Sequence, residues 1–145
     1  MSTWPAHDGA PDEAPVTHRN RQTLSMNFGS ALVQSCMRLD DPNALLLEYT
    51  RAMMGFLLLN PKPESILMVG LGGGSIAKYC HQHLPHSHMT VVEINPEVIA
   101  LRDEFMLPPD DDRLTVVCAD GVRFMAQCAD QFDVILKNHE LETAC

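Results

Sequence analysis

The stretch Gly70-Leu71-Gly72-Gly73-Gly74 places four glycines in five residues between an apolar run, Ser65 to Val69 (SILMV), and a helical segment from Ser75 to Leu84. Backbone without Cβ atoms can turn tightly at such a junction and approach a ligand closely. The start of the following helix adds N–H groups and the positive end of a dipole. A second strand, Met89 to Glu93 (MTVVE), ends in an acid. An acid about 20 residues beyond a glycine loop, at the tip of the next strand, is placed to accept both hydroxyls of a ribose. Alone, Glu93 would read as a surface acid at a strand end; after this loop it reads as the ribose carboxylate of a βαβ nucleoside-binding unit. The dinucleotide pattern G-x-G-x-x-G requires a glycine where this chain has Ser75, and no lysine follows in the position a nucleoside triphosphate loop needs.

The alternation continues beyond Glu93. Pro96 to Phe105 reads as a helix with Asn95 as its N-cap and proline in the first turn. Arg113 to Cys118 is a third strand, Gly121 to Ala129 a third helix and Phe132 to Leu136 a fourth strand. Short apolar strands alternating with helices predict a parallel sheet covered on both faces. Asp120-Gly121 follows the third strand, where the acid can accept from an adenine amino group; it can equally cap the next helix, and both roles can hold together.

Before the glycine loop the pattern differs. Residues 1–22 are interrupted by Pro and Gly and predict a disordered arm. Residues 23–47 read as a small antiparallel β-segment, with strand candidates in TLSMNF and ALVQSCMRL and a turn at Asp40-Asp41-Pro42-Asn43. Residues 48–145 form the nucleoside-binding domain. It opens with a mostly buried helix from Leu47 to about Asn60, stopped by Pro61 and Pro63. The pair Met53-Met54 is assigned to core packing.

A formal charge of −9 over 145 residues argues against a broad nucleic-acid or anionic-membrane surface. It suits a small cationic substrate. The five cysteines, at 36, 80, 118, 128 and 145, make no C-x-x-C pair and read as reduced thiols. Residues 1–22 are polar and do not read as a signal peptide, and the longest apolar run, Ala52 to Leu59, is far short of the ~20 residues that span a bilayer. These features predict a soluble, cytoplasmic protein. Cys80 and the histidines at 81, 83, 86 and 88 have metal-ligand chemistry, but they run off a helix end through Pro85, so no metal site is expected. Asp110-Asp111-Asp112 reads as a solvated loop.

The G-x-G-x-G spacing resembles the nucleoside loop of S-adenosylmethionine-dependent methyltransferases. As a set and in this order, VGLGGGSIAKY, VVEINPEVIALRDEF, VVCADGVRF and FDVIL resemble the spermidine synthase-like polyamine aminopropyltransferases, over about residues 23–136. The resemblance implies an α/β fold: a methyltransferase-like Rossmann fold, here its first four parallel strands with helices, preceded by the small antiparallel β-segment. It also implies that Gly70, Gly72, Gly73, Gly74 and Gly121 shape the nucleoside site, with Glu93 on the ribose and Asp120 on the adenine. The implied ligand is decarboxylated S-adenosylmethionine (or S-adenosylmethionine), or the product methylthioadenosine. The family reaction moves an aminopropyl group to an amine such as putrescine, which must lose a proton before it attacks.

The chain departs from that pattern at the residues that handle the amine. The family loop GGGDG has its acid where this chain has Gly73, the glutamine of LDGxxQ falls at Ala44, and the proton-accepting aspartate after the fourth strand falls at Asn138. No catalytic residue is therefore assigned. The polar tail from Lys137 reads as a truncated or altered end, and the domain as incomplete at its C-terminus. Two alternatives accompany the aminopropyltransferase reading: a methyltransferase using S-adenosylmethionine, and a nucleoside-binding or dimerising remnant without turnover. An unpaired apolar fourth strand also predicts a homodimer or poor solubility.

Overall fold

The computed structural model describes residues 14–29 and 33–138. Two sheets share one core. The first has three antiparallel strands in the order β1-β2-β3, formed by Val16–Arg19, Thr23–Asn27 and Ser35–Arg38. β2 alternates, sending Leu24 and Met26 inward to 1% and 0% exposure. Strand β1 corrects the predicted arm: Val16 to Arg19 pair with Asn27 to Leu24, although little in VTHR is apolar. Edge pairing to a strand already held by its other neighbour supplies what the sequence pattern lacks. The earlier part of that arm, residues 1–13, lies outside the described residues.

The predicted helix from Leu47 to Asn60 is shorter and changes type. Helix α1 covers Glu48–Met53, and a 3-10 turn continues over Met54–Leu58. Gly55 lowers helical propensity there, and tightening to 3-10 is the usual way a helix end closes. Met54 is buried, with its sulfur 4.0 Å from Cys80 Sγ, as core packing requires. Leu58 and Leu59, which the sequence placed in a buried helix, are instead about nine-tenths exposed.

The second sheet is parallel, in the order β6-β5-β4-β7. Its strands are β4 (Ser65–Val69), β5 (His88–Glu93), β6 (Leu114–Cys118) and β7 (Val134–Lys137). Ile66, Leu67, Met68, Val91 and Val92 are all at 2% exposure or less, on both faces of the central strands, which explains runs without polar alternation. Helices α2 (Ser75–His83), α3 (Pro96–Ala100) and α4 (Gly121–Gln127) connect them. The fold is the α/β, methyltransferase-like arrangement expected. Leu24, Met26 and Met37 of the small sheet join Ile66, Met68 and Leu136 of the large one in a single core cluster.

Helix α3 ends five residues before the predicted Phe105. From Leu101 the chain makes successive turns, and Met106 adopts a left-handed φ of 56°. That reversal buries Phe105 and Leu107 together and leaves Met106 between them 53% exposed, which a continued helix could not do. The acidic loop that follows is not merely solvated. Asp110 pairs with Arg102 and accepts a long hydrogen bond from the Val116 amide on the outer edge of β6. Asp111 accepts from the Arg113 and Leu114 amides and from His81. The His81 bond leads in holding the Asp111 carboxyl down at about 2. One sheet edge is thus guarded by carboxylates. Beyond β7, the other edge, no strand pairs among the described residues.

Candidate functional site

The sheet order reverses direction after β4: β5 and β6 build to one side and β7 returns to the other. In open α/β sheets ligands bind at the carboxyl ends of the strands beside such a switch. The glycine loop leaves β4 there, Asn138 follows β7, and Glu93 ends β5. Backbone bonds from Gly70 N to the Val92 carbonyl (2.8 Å) and from Asn138 N to the Val69 carbonyl (2.9 Å) bring these three strand ends level.

Glu93 is buried at 8% exposure, and both its oxygens are engaged. Oε2 accepts from the Leu71 amide at 2.8 Å and Oε1 from the Asn95 amide at 2.9 Å. The acid therefore ties the glycine loop to the turn after β5. A carboxylate has about four acceptor sites, so two such bonds leave capacity for two ribose hydroxyls. Asn95 caps α3 as expected, its side chain accepting from the Glu97 amide, while its Nδ2 is buried without a partner. Ile94, between these two, is 43% exposed and offers an apolar surface at the same strand end.

The loop glycines have distinct reasons. Gly70, Gly72 and Gly74 adopt φ values of 94°, 56° and 75° that side chains rarely take. Gly73 does not; it is required by space. A Cβ there would lie 2.8 Å from Ser35 Cβ and 3.0 Å from Phe105 Cδ1, and its amide donates to Ser35 Oγ at 2.7 Å. The position where the resemblance expects an acid is filled by a serine from β3 and a buried aromatic ring. Asp120 caps α4 through the Arg123 amide at 2.9 Å, and Gly121 lets that helix approach β4, since a Cβ would meet Val69 Cγ1 at 2.5 Å. The cap reading of Asp120 is therefore real, and the residue still stands at the carboxyl end of β6.

Beneath the loop lies a small pocket lined in part by Ser35, Tyr49, Thr50, Ser75 and Asn138. Asn138 packs against two loop glycines, its Cβ 3.1 Å from a Cβ on Gly70 and its Nδ2 3.2 Å from one on Gly72. Its Oδ1 is buried without a hydrogen-bond partner. Ala44 closes the turn at Asp41 and does not line this pocket. Ser35 and Tyr49 are contributions that the sequence reading missed. Nothing local marks Ser35, which meets Gly73 across 38 positions of chain.

Behind the loop, Lys78 is buried at 2% exposure and donates to the Phe105 carbonyl at 2.7 Å. Burial lowers its ammonium to about 8. Burial also pushes the Cys80 thiol up to about 12, which makes it a poor nucleophile. No disulfide forms among the described residues, and no three His, Cys, Asp or Glu side chains among them converge as a metal site would need. Nor is any helix among them long and apolar enough to cross a membrane.

A parallel Rossmann-type sheet with a glycine loop, a strand-end acid and a small antiparallel sheet packed beside the loop places the chain in the methyltransferase-like class of α/β folds. Residues 46–142 match the family described as the spermine/spermidine synthase domain, and the chain belongs to that family. A polyamine aminopropyltransferase of Chromobacterium violaceum is 47% identical over 113 residues, covering 77% of this chain and 43% of the relative. The chain thus spans less than half the length of that relative. Human methyltransferase-like protein 13, solved in complex with SAH, is 33% identical with a TM-score of 0.56, covering 63% of this chain and 47% of the human one. A probable spermidine synthase of Corynebacterium glutamicum aligns with a TM-score of 0.73 over 93% of this chain and 52% of its own, at 21% identity, a likeness of fold alone.

Proposed function

We propose that this chain binds an adenosyl-sulfur nucleoside as the donor in a group transfer. The observation that carries the reading is Glu93, buried at the end of β5 and held by the amides of Leu71 and Asn95. A carboxylate fixed against a glycine loop can receive a ribose without reorganising. Asp120, at the next strand end, is the adenine partner, with Gly70, Gly72, Gly73, Gly74 and Gly121 giving the backbone its close approach. The reaction suggested by the family and by the Chromobacterium relative is aminopropyl transfer from decarboxylated S-adenosylmethionine to an amine such as putrescine, in polyamine biosynthesis.

Methyl transfer from S-adenosylmethionine is a second reading. It is favoured by Gly73 and Asn138, which remove both amine-handling carboxylates, and by the 33% identity to a methyltransferase. Asn138 cannot take a proton from an attacking ammonium at neutral pH, so aminopropyl transfer needs a proton acceptor other than this residue. A nucleoside-binding or dimerising protein without turnover is the remaining possibility. Calorimetry with methylthioadenosine tests the shared premise. Wild type is expected to bind and Glu93→Ala to lose measurable affinity; unchanged affinity in the variant would remove the ribose assignment. Incubation with decarboxylated S-adenosylmethionine and putrescine, followed for spermidine and methylthioadenosine, separates aminopropyl transfer from the other readings.

A further inference from the structure

Lys78 is a buried cation that the candidate site, as described so far, does not use. It lies in α2 at 2% exposure, and no carboxylate pairs with it among the described residues. Burial alone lowers its ammonium to about 8. At neutral pH the side chain is therefore charged in a place that disfavours charge, which works against folding. A methionine, close to it in volume, would fill the same space without that penalty. What the ammonium does supply is one hydrogen bond, to the Phe105 carbonyl at 2.7 Å.

That carbonyl leads into the reversal at Met106, whose φ of 56° is unfavourable for a residue with a side chain. The Leu107 amide donates to the Arg102 carbonyl at 2.9 Å and ties the far side of the turn. Between these two bonds, Phe105 and Leu107 are set against the glycine loop. Phe105 Cδ1 lies 3.0 Å from where a Cβ on Gly73 would stand, and Leu107 Cδ1 lies 3.0 Å from one on Gly74. Both side chains are buried, so the loop rests on a packed wall with little room to shift. The front of the same loop gives its Leu71 amide to Glu93, the acid assigned to the ribose.

We infer that Lys78 is a positioning residue: its bond to the Phe105 carbonyl braces the turn that holds the glycine loop in the shape that receives the nucleoside. The inference rests on the nucleoside reading proposed above. It accounts for a cation standing where an apolar side chain would be more stable, since a site can retain a group that stability alone would not. The full chain is compared with Lys78→Met at pH 7 by thermal unfolding, by amide hydrogen exchange without ligand and by calorimetry with methylthioadenosine. The Tm of Lys78→Met should be unchanged or higher. Its Gly73 and Gly74 amides should nevertheless exchange about tenfold faster, through local opening of the loop. Methylthioadenosine should bind it about tenfold more weakly, the size expected of losing one hydrogen bond to a charged group. Lys78→Arg keeps a donor and should recover most of that affinity. A Lys78→Met protein with wild-type affinity or wild-type exchange at the loop overturns the inference. So does one that melts at lower temperature or fails to fold, because Lys78 then serves stability alone. An arginine variant that folds yet binds no better than Lys78→Met also overturns it. If wild type does not bind methylthioadenosine, the nucleoside reading falls, and the exchange comparison alone decides whether Lys78 braces the loop.

Discussion

Ser35 Oγ lies 2.7 Å from the amide nitrogen of Gly73, and Ser35 Cβ lies 2.8 Å from where a Cβ on Gly73 would stand. The small β-segment therefore closes the glycine loop from one side and fills the space of the absent acid. The two parts of the chain are joined by this contact as well as by the common core.

Restoring that acid should consequently fail structurally before it can be judged chemically. Gly73→Asp is expected to cost about 1–3 kcal/mol through overpacking against Ser35 and Phe105. Ser35→Gly removes one of the two obstacles, so the double variant should lose less than the sum of the single losses. Denaturant unfolding of the four proteins measures the coupling. Strict additivity would mean that Ser35 is not what excludes a side chain at 73.

Glu93→Gln probes the bond between acid and loop without changing size. The amide would turn an NH2 toward the N–H of Leu71 or Asn95, leaving buried donors facing each other. The expected cost is about 1–3 kcal/mol in stability, with weaker methylthioadenosine binding. A variant as stable as wild type would show that the carboxylate does not hold the loop.

Alkaline stability should show two opposing slopes. Lys78 has its ammonium lowered by burial from 10.5 to about 8, so between those values the unfolded chain binds a proton that the folded one does not. Stability therefore rises with pH across that window, by up to roughly 3 kcal/mol for this group alone. Cys80 acts in reverse. Its thiol is raised from 9.0 to about 12, so above pH 9 the folded state retains a proton the unfolded state has lost, and stability falls. Thermal melts from pH 7 to 10 should show a rise that flattens or turns down above pH 9. Lys78→Met should abolish the rise, and Cys80→Ala should extend it. A Lys78→Met profile parallel to wild type would refute the assignment.

The elements nearest the candidate site were the most legible in the sequence. β4, the glycine loop, α2 and the acid ending β5 are local patterns, and the observed strand Ser65–Val69 has the bounds read from SILMV. Asn95 as a cap was equally local, since a cap acts on amides two residues away. What the sequence hid depends on distant chain. Ser35 against Gly73, and Lys78 against Phe105, join residues 38 and 27 positions apart. α3 stopped early because burial of both Phe105 and Leu107 outweighed helix propensity. Strand β1 carries almost no apolar signal and is held by its partner. The departures at Gly73 and Asn138 were visible as residue types, but only the packing shows that one position is full and the other leaves an acceptor unsatisfied.

The two edges of the large sheet lead to a last prediction. On β6, Asp110 reaches the Val116 amide and the acidic loop lies alongside, which discourages another strand. β7 has no such guard among the described residues, and its Ile135 is 57% exposed. Val122 and Met125 of α4 are also exposed, at 69% and 42%. An open apolar edge strand is a template for pairing with a second copy. The 145-residue chain taken by itself should therefore self-associate with rising concentration, as a dimer or larger species in light scattering. Ile135→Lys should shift it toward monomer by placing a charge on the exposed face, while an Asp110→Ala change at the opposite edge should add to association. A wild-type protein that stays monomeric at high concentration would refute pairing through β7.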